Sequence, residues 1–350
     1  MIRLVAQTIS YRMNQSASSS TIEGDDARLA SLTAWLESLA APYGLAARSL
    51  RPASVDASSR RYFRLDCDGG SLIAMDAPPA MEDARPFVRV AALMRSAGIN
   101  VPEVLVSDLA QGFLLLTDLG DTTYLNALND KNAAELFGAA IDALIRWQRC
   151  TVDGMLPPYD EALLRQELSL FPDWFIAHHL QRKLTASQSA VLDQMFACIV
   201  AANLAQPKVF VHRDYMPRNL MVSKPNPGVL DFQDAVVGPI AYDLVSLFRD
   251  AFVSWDDDRV LEWTRLYFDR ARTAGLAVPA DFQEFWRDFE WMGVQRHLKV
   301  LGIFARIRYR DGKPHYLEDA PRFIGYVRAV AQRYGELAPL ARLFDELELA

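Results

Sequence analysis

Apolar residues first recur with helical spacing at Leu29, Leu32, Trp35, Leu36 and Leu39 and stop at Pro42 and Gly44, which predicts an amphipathic helix beginning near Ala27. Two strand-like stretches follow, 61–67 and 71–76, around the turn Asp68-Gly69-Gly70, and predict a β-hairpin. A helix over 84–97, closed by Gly98, leads into two further β segments, 103–108 and 113–117. This order describes a small antiparallel lobe over residues 25–119. From residue 120 to 350 the pattern becomes helical, over 132–149, 161–178, 186–202, 242–252, 257–273 and 282–309. Short β pieces at 209–211, 220–222 and 229–230 interrupt it. The expected fold class is therefore α+β and bilobal. Upstream, the polar run 14–26 can bury nothing, so residues 1–24 are expected to form a disordered extension.

Composition narrows the class without naming a chemistry. The chain has 350 residues, 51% hydrophobic and 23% charged, ordinary values for a globular protein of one or two domains. Its 37 Lys and Arg against 44 Asp and Glu leave a net charge of −7, with no broad cationic surface for nucleic acid or anionic lipid. Cys67, Cys150 and Cys198 are odd in number and far apart, so neither a disulfide framework nor a zinc site is indicated. No run reads as a membrane span and the N-terminus lacks a secretory signal, so a cytoplasmic protein is expected. Nucleic acid, membrane and an obligate protein partner are not expected.

One window holds the densest group of unusual polar residues. From Val209 to Asp234 it reads V-F-V-H-R-D-Y-M-P-R-N-L-M-V-S-K-P-N-P-G-V-L-D-F-Q-D. The pattern H-x-D-x-x-x-x-N after an apolar strand, followed by a hairpin ending in Asp-Phe, matches the needs of phosphoryl transfer. Asp214 is placed to accept the proton of an acceptor hydroxyl and aim its oxygen at phosphorus. Asn219 offers a neutral oxygen ligand to Mg²⁺ and Asp231 a charged one. His212 is expected to orient the loop rather than carry protons.

On these residues the sequence resembles the aminoglycoside phosphotransferase and choline kinase superfamily, and within it the bacterial N-acetylmuramate/N-acetylglucosamine anomeric kinases. Further matching stretches are S-S-R-R-Y-F-R-L from Ser58, M-D-A-P-P from Met75, G-F-L-L-L-T-D-L-G from Gly112, F-P-D-W from Phe171 and M-G-V-Q-R-H-L-K-V-L-G-I-F-A-R from Met292. The resemblance implies a kinase-like fold with ATP between the lobes. Backbone groups near Thr117 and Leu119 would then meet the adenine edge, and the turn 56–61 would cover the phosphates. Ser58 and Ser59 would offer hydroxyls and amides there, and Arg60 or Arg61 a positive charge. One departure stands out: the strand over 71–76 lacks the Lys that protein kinases use on the α- and β-phosphates.

Several residues carry two readings. Asp234 either assists metal and acceptor binding or caps a turn, and Asp243 is expected to serve a helix N-terminus. Arg296 and Lys299, one turn apart with Arg306 near the same stripe, form either a solvated face or the acceptor pocket, where cations would suit a sugar with a lactyl carboxylate. Gly293 and Gly302 on that helix point to close approach of a neighbour. Trp174 is a sugar platform or a packing residue, and His297 a core histidine or a ligand. The expected activity is an ATP- and Mg²⁺-dependent kinase whose small-molecule partner is an amino sugar phosphorylated at its anomeric hydroxyl. The alternatives are an antibiotic- or choline-type kinase and a nucleotide-binding pseudokinase.

Overall fold

The computed structural model describes residues 27–54 and 60–349, so the expected N-terminal extension, Ser58 and Ser59 lie outside the described residues. Helix α1 (Ala27–Ser38) and the single turn α2 (Ala40–Tyr43) end at Gly44, whose φ of 60° is the left-handed conformation that costs glycine nothing. The next segment, β1 (Leu45–Ser54), is a strand the hydropathy pattern did not predict. Arg48, Ser49 and Arg51 break its alternation, and bulges interrupt its pairing with the following strand. Then come β2 (Arg61–Cys67), β3 (Gly70–Asp76), α3 (Arg85–Ser96), β4 (Val104–Asp108) and β5 (Phe113–Thr117), each within a residue of expectation. The five strands make one sheet in the order β1-β2-β3-β5-β4, antiparallel throughout.

The alternation of side chains gives this sheet two buried faces. Phe63, Leu65, Ala74, Phe113 and Leu115 pack on Leu32 and Leu36 of α1. Met75, Leu114 and Leu116 point the other way, into the core that α3 shares with the second lobe. That shared core fixes the cleft between the lobes.

The second lobe contains α4 (Tyr124–Ala127), α5 (Ala133–Arg149), α6 (Glu161–Leu170), α7 (Ala186–Ala205), β6 (Lys208–Val211), β7 (Leu220–Met221), β8 (Gly228–Val229), β9 (Val236–Pro239), α8 (Tyr242–Phe248), α9 (Asp257–Thr273), α10 (Phe282–Asp311), α11 (Ala320–Arg333) and α12 (Ala338–Glu346). The helix expected over 161–178 divides. After α6 the chain winds more widely, as a π-helical segment from Phe171 to His179 that contains Pro172, which has no amide to continue the α ladder. Gly302 of α10 packs against this junction: a Cβ there would lie 2.4 Å from the backbone of Leu170.

Helix α7 alone among the described helices is long and apolar enough to cross a bilayer, with a mean hydropathy of 1.2 over its best window. This corrects the expectation that no such run exists. Its Leu192, Met195, Phe196, Ile199 and Val200 belong to the core, and it packs on α6, α10 and α12.

Candidate active site

Three connected pieces of chain build the site: the loop after β6, the β7–β8 hairpin with the turn that follows, and the start of α8. The backbone amides of His212 and Arg213 donate to Oδ2 and Oδ1 of Asp243, at 2.7 and 3.1 Å. Asp243 is fully buried, and burial pushes its carboxyl up to about 7 against the pull of those two amides. It thus tethers the loop in addition to standing in the first turn of α8, where the sequence reading placed it. The tether holds Arg213 at φ 75°, a region that non-glycine residues seldom occupy and that recurs at functional sites.

His212 is buried, which depresses its pKa to about 4 and leaves the ring neutral at pH 7. Its Nδ1 accepts the amide of Asp214 at 3.2 Å, the orienting role expected from sequence. The Asp214 carboxylate itself is half-buried and accepts no hydrogen bond from the described residues. It is free to take a hydroxyl proton.

Asn219 donates through Nδ2 to the carbonyl of Asp214 at 2.9 Å and to Oδ2 of Asp231 at 3.3 Å. Its Oδ1 therefore points away from both and has no partner among the described residues. Asp231 sits at φ 63°, with Oδ1 accepting from Nε2 of Gln233 at 2.9 Å, a contact that the sequence did not flag. The two side chains, each carrying an oxygen suited to a hard cation, thus meet through the Asn219 nitrogen. No cluster of three or more His, Cys, Asp or Glu able to hold a metal exists among the described residues, yet Mg²⁺ bound with phosphates needs only one or two side chains. Asp234 lies exposed three residues on, close enough to His212 to affect its charge.

Cross-strand register decides where the N-lobe cations point. Arg61 pairs with Asp76, on the same face as Phe63 and Ala74, and its Nη2 lies 2.6 Å from the fully buried Asp76, which also takes Arg28 of α1 at 2.6 Å. Arg61 therefore serves the α1 face, which corrects its expected placement over the phosphates. Arg64 points to the opposite face and binds Asp118 at 2.5 Å, with Ser71 and the amide of Gly120 on the same carboxylate. Arg60 immediately precedes β2, half-buried.

On the cleft face β3 presents Ile73 and Met75, and α3 carries no acidic residue. Both halves of the Lys–Glu pair of protein kinases are absent together. Met75 instead shares an apolar core with Phe87, Val90 and Met94 of α3. At the hinge, the amide of Thr117 is already spent on the carbonyl of Glu103 at 3.0 Å. The main-chain groups of Leu119 make no hydrogen bond among the described residues, so of the two hinge positions Leu119 is the one open to an adenine edge.

Of the basic pair on α10, Arg296 is buried and Lys299 only partly exposed, which overturns the solvated-face reading. Arg296 is 4% exposed and makes no hydrogen bond among the described residues, lying where it acts on the charges of Asp243 and Asp250. Lys299 donates to Glu167 at 2.7 Å and to the hydroxyl of Tyr242 at 3.0 Å. Trp174, on the π-helical segment, stacks on His178 with ring centroids 4.7 Å apart. His297 is a core residue packed between Phe323 and Tyr326.

The profile described as "Phosphotransferase enzyme family" matches residues 49–276, a stretch that includes the loop after β6, Asn219 and Asp231. The chain belongs to this family. Within it, the chain is 53% identical over 330 residues to a protein of Pseudomonas aeruginosa named N-acetylmuramate/N-acetylglucosamine kinase, covering 92% of this chain and 98% of that one. A protein of the same name from Neisseria meningitidis is 49% identical over 300 residues, covering 84% and 89%. Among solved structures, choline kinase LicA from Streptococcus pneumoniae superposes with a TM-score of 0.59 at 11% identity, over 85% of this chain and 98% of that chain. An ADP-bound aminoglycoside phosphotransferase gives 0.55 at 14%, over 86% and 97%. These structures confirm the bilobal kinase-like fold. A phosphotransferase of this family acts on an alcohol group, and in this chain the Asp214 carboxylate stands half-buried on the loop after β6.

Proposed function

We propose that the chain is an ATP- and Mg²⁺-dependent kinase for the anomeric hydroxyl of N-acetylmuramate and N-acetylglucosamine, giving the 1-phosphates in cytoplasmic recycling of peptidoglycan sugars. The observation that carries this reading is near-full-length identity of about half to relatives named for those two sugars, with Asp214, Asn219 and Asp231 all in place. Asp214 takes the proton of the anomeric hydroxyl as its oxygen forms a bond to the γ-phosphorus. The bond from that phosphorus to the β-phosphate oxygen breaks, and ADP leaves. Oδ1 of Asn219 and the carboxylate of Asp231 would hold Mg²⁺, which supplies charge neutralisation on the phosphates when bound. Leu119 meets the adenine edge, and Asp234 and Trp174 stand as acceptor contacts.

The test is an ATP-consumption assay over the two amino sugars, choline and an aminoglycoside, with the position of the new phosphate read by ³¹P NMR. Turnover of both amino sugars to 1-phosphates is expected. Turnover of choline or the aminoglycoside instead, or phosphate on another hydroxyl, overturns the assignment.

A further inference from the structure

Glu167 of α6 belongs to none of the motifs that led to the site, yet its carboxylate is fully satisfied by donors drawn from distant parts of the chain. It is 5% exposed and accepts four hydrogen bonds: from Nη2 of Arg213 at 2.8 Å, Nζ of Lys299 at 2.7 Å, Nε2 of Gln295 at 3.1 Å and the hydroxyl of Tyr159. Four bonds fill the lone-pair sites of a carboxylate. The four donors come from three separate parts of the chain: the loop after β6, two successive turns of α10, and the segment before α6. Tyr159 also lies under the Arg213 guanidinium, 5.7 Å from ring centroid to Cζ, and meets Tyr242 edge-on at 5.2 Å. Burial alone would raise the Glu167 pKa, but Lys299 and Arg213 outweigh it and hold the group below its ordinary value, so it is charged at neutral pH.

Arg213 is the middle residue of the His-Arg-Asp triplet, one position before Asp214. Its backbone is fixed by Asp243 and its side chain by Glu167, so the residue is clamped at both ends. In regulated kinases an equivalent restraint arrives only with phosphorylation, through a new Arg–phosphate pair. Here a carboxylate buried in the fold occupies that role permanently.

We propose that Glu167 is a positioning residue for phosphoryl transfer: through Arg213 it holds the Asp214 carboxylate in its reactive orientation, as a built-in substitute for an activating phosphate. The inference rests on the kinase reading, and the two fail separately. Wild-type protein that turns over no acceptor sinks the reading, whereas active wild type with indifferent variants sinks the role of Glu167.

The experiment measures kcat, both KM values and the thermal midpoint for Glu167→Gln, Arg213→Met and the double variant. Because a displacement of about 1 Å can cost about 100-fold, each single change is expected to lower kcat by about 10- to 100-fold with the KM for Mg·ATP within about twofold. The double variant should be no worse than Arg213→Met alone, since the effect passes through that side chain. A folded Glu167→Gln enzyme keeping more than half of wild-type kcat overturns the proposal, as does a double variant in which the two losses multiply. Should Glu167→Gln fail to fold, Glu167→Gln/Lys299→Met keeps the cluster's single net positive charge and is compared with Lys299→Met: a further loss of about tenfold or more is expected, and equal kcat overturns the idea. Arg213→Met with wild-type kcat overturns it whatever the Glu167 variants do.

Discussion

The side-chain nitrogen of Asn219 lies 2.9 Å from the main-chain oxygen of Asp214. One amide group thereby links the Asp214 loop to Asp231, because the same nitrogen also reaches Asp231 while the amide oxygen has no partner among the described residues. On the proposed reading the Asp214 carboxylate acts on the acceptor, while Asn219 and Asp231 act on the nucleotide through Mg²⁺.

That division of labour separates two variants. Asp214→Ala is expected to cut kcat by at least about 100-fold, the usual contribution of a general base being about 10²–10⁴, while Mg·ATP affinity stays near wild type. Asp231→Asn is expected to weaken Mg²⁺-dependent nucleotide binding. Retention of more than about a hundredth of kcat by the first, or an unchanged metal titration of the second, contradicts these roles.

The motif was legible because His212, Asp214, Asn219 and Asp231 fall within one short window, where spacing and strand–loop–hairpin context are local properties. Glu167 was not: it lies 46 residues from Arg213 and 132 from Lys299, and only tertiary packing brings the three together. The same limit explains Arg61, whose chemistry suits a phosphate but whose strand parity turns it to the α1 face and Asp76. Strand β1 escaped notice for a related reason, since pairing with β2 and packing on α1 sustain it where its own pattern is irregular.

The basic pair on α10 now carries a sharper expectation. Lys299 is neutralised by Glu167, and Arg296 faces the buried acids Asp243 and Asp250, so Lys299→Met and Arg296→Met should each reduce kcat/KM on N-acetylmuramate and N-acetylglucosamine alike. A charge-assisted contact to the lactyl carboxylate would behave differently. Its loss is worth about 1.5–3 kcal/mol, or about 10- to 150-fold, on N-acetylmuramate only. A selective loss of that size in side-by-side kinetics would restore the carboxylate-binding role.

Two glycines of α10 that look equivalent in sequence should respond oppositely. Alanine gains about 1 kcal/mol over glycine in a helix interior. At Gly302 the new Cβ would meet the backbone of Leu170 at 2.4 Å, and such overpacking costs about 1–3 kcal/mol or more, so Gly302→Ala is expected to be net destabilising. At Gly293 the nearest atom is the His297 ring at 3.5 Å, an ordinary contact, so Gly293→Ala should be neutral or slightly stabilising. Denaturant unfolding of the two variants decides this, and a stable Gly302→Ala contradicts the close packing of α10 on the α6 junction.

The buried acid Asp250 gives the stability curve a predictable slope. One carboxylate oxygen accepts the amide of Phe252 at 3.3 Å, and the other has no partner among the described residues. Burial raises its pKa to about 6, although Arg296, nearby backbone amides and Arg322 pull it down. An acid whose pKa is higher in the folded than in the unfolded state keeps a proton that the unfolded chain has already released. Between about pH 4 and 6 the native state therefore binds more protons, and this group's contribution to stability falls as pH rises through that window and is constant above it. Nearby His297, buried and held neutral with its pKa well below the ordinary value, works in the opposite sense, but it is common to wild type and variant and cancels in their difference. Asp250→Asn removes the titration at similar volume. Its stability relative to wild type is expected to improve by on the order of 2 kcal/mol between pH 4.5 and pH 7.5, at 1.36 kcal/mol per unit across the part of the window covered. Paired urea unfolding curves at the two pH values test this. A stability difference that does not change with pH would mean that Asp250 ionises in the folded protein as it does in the unfolded chain.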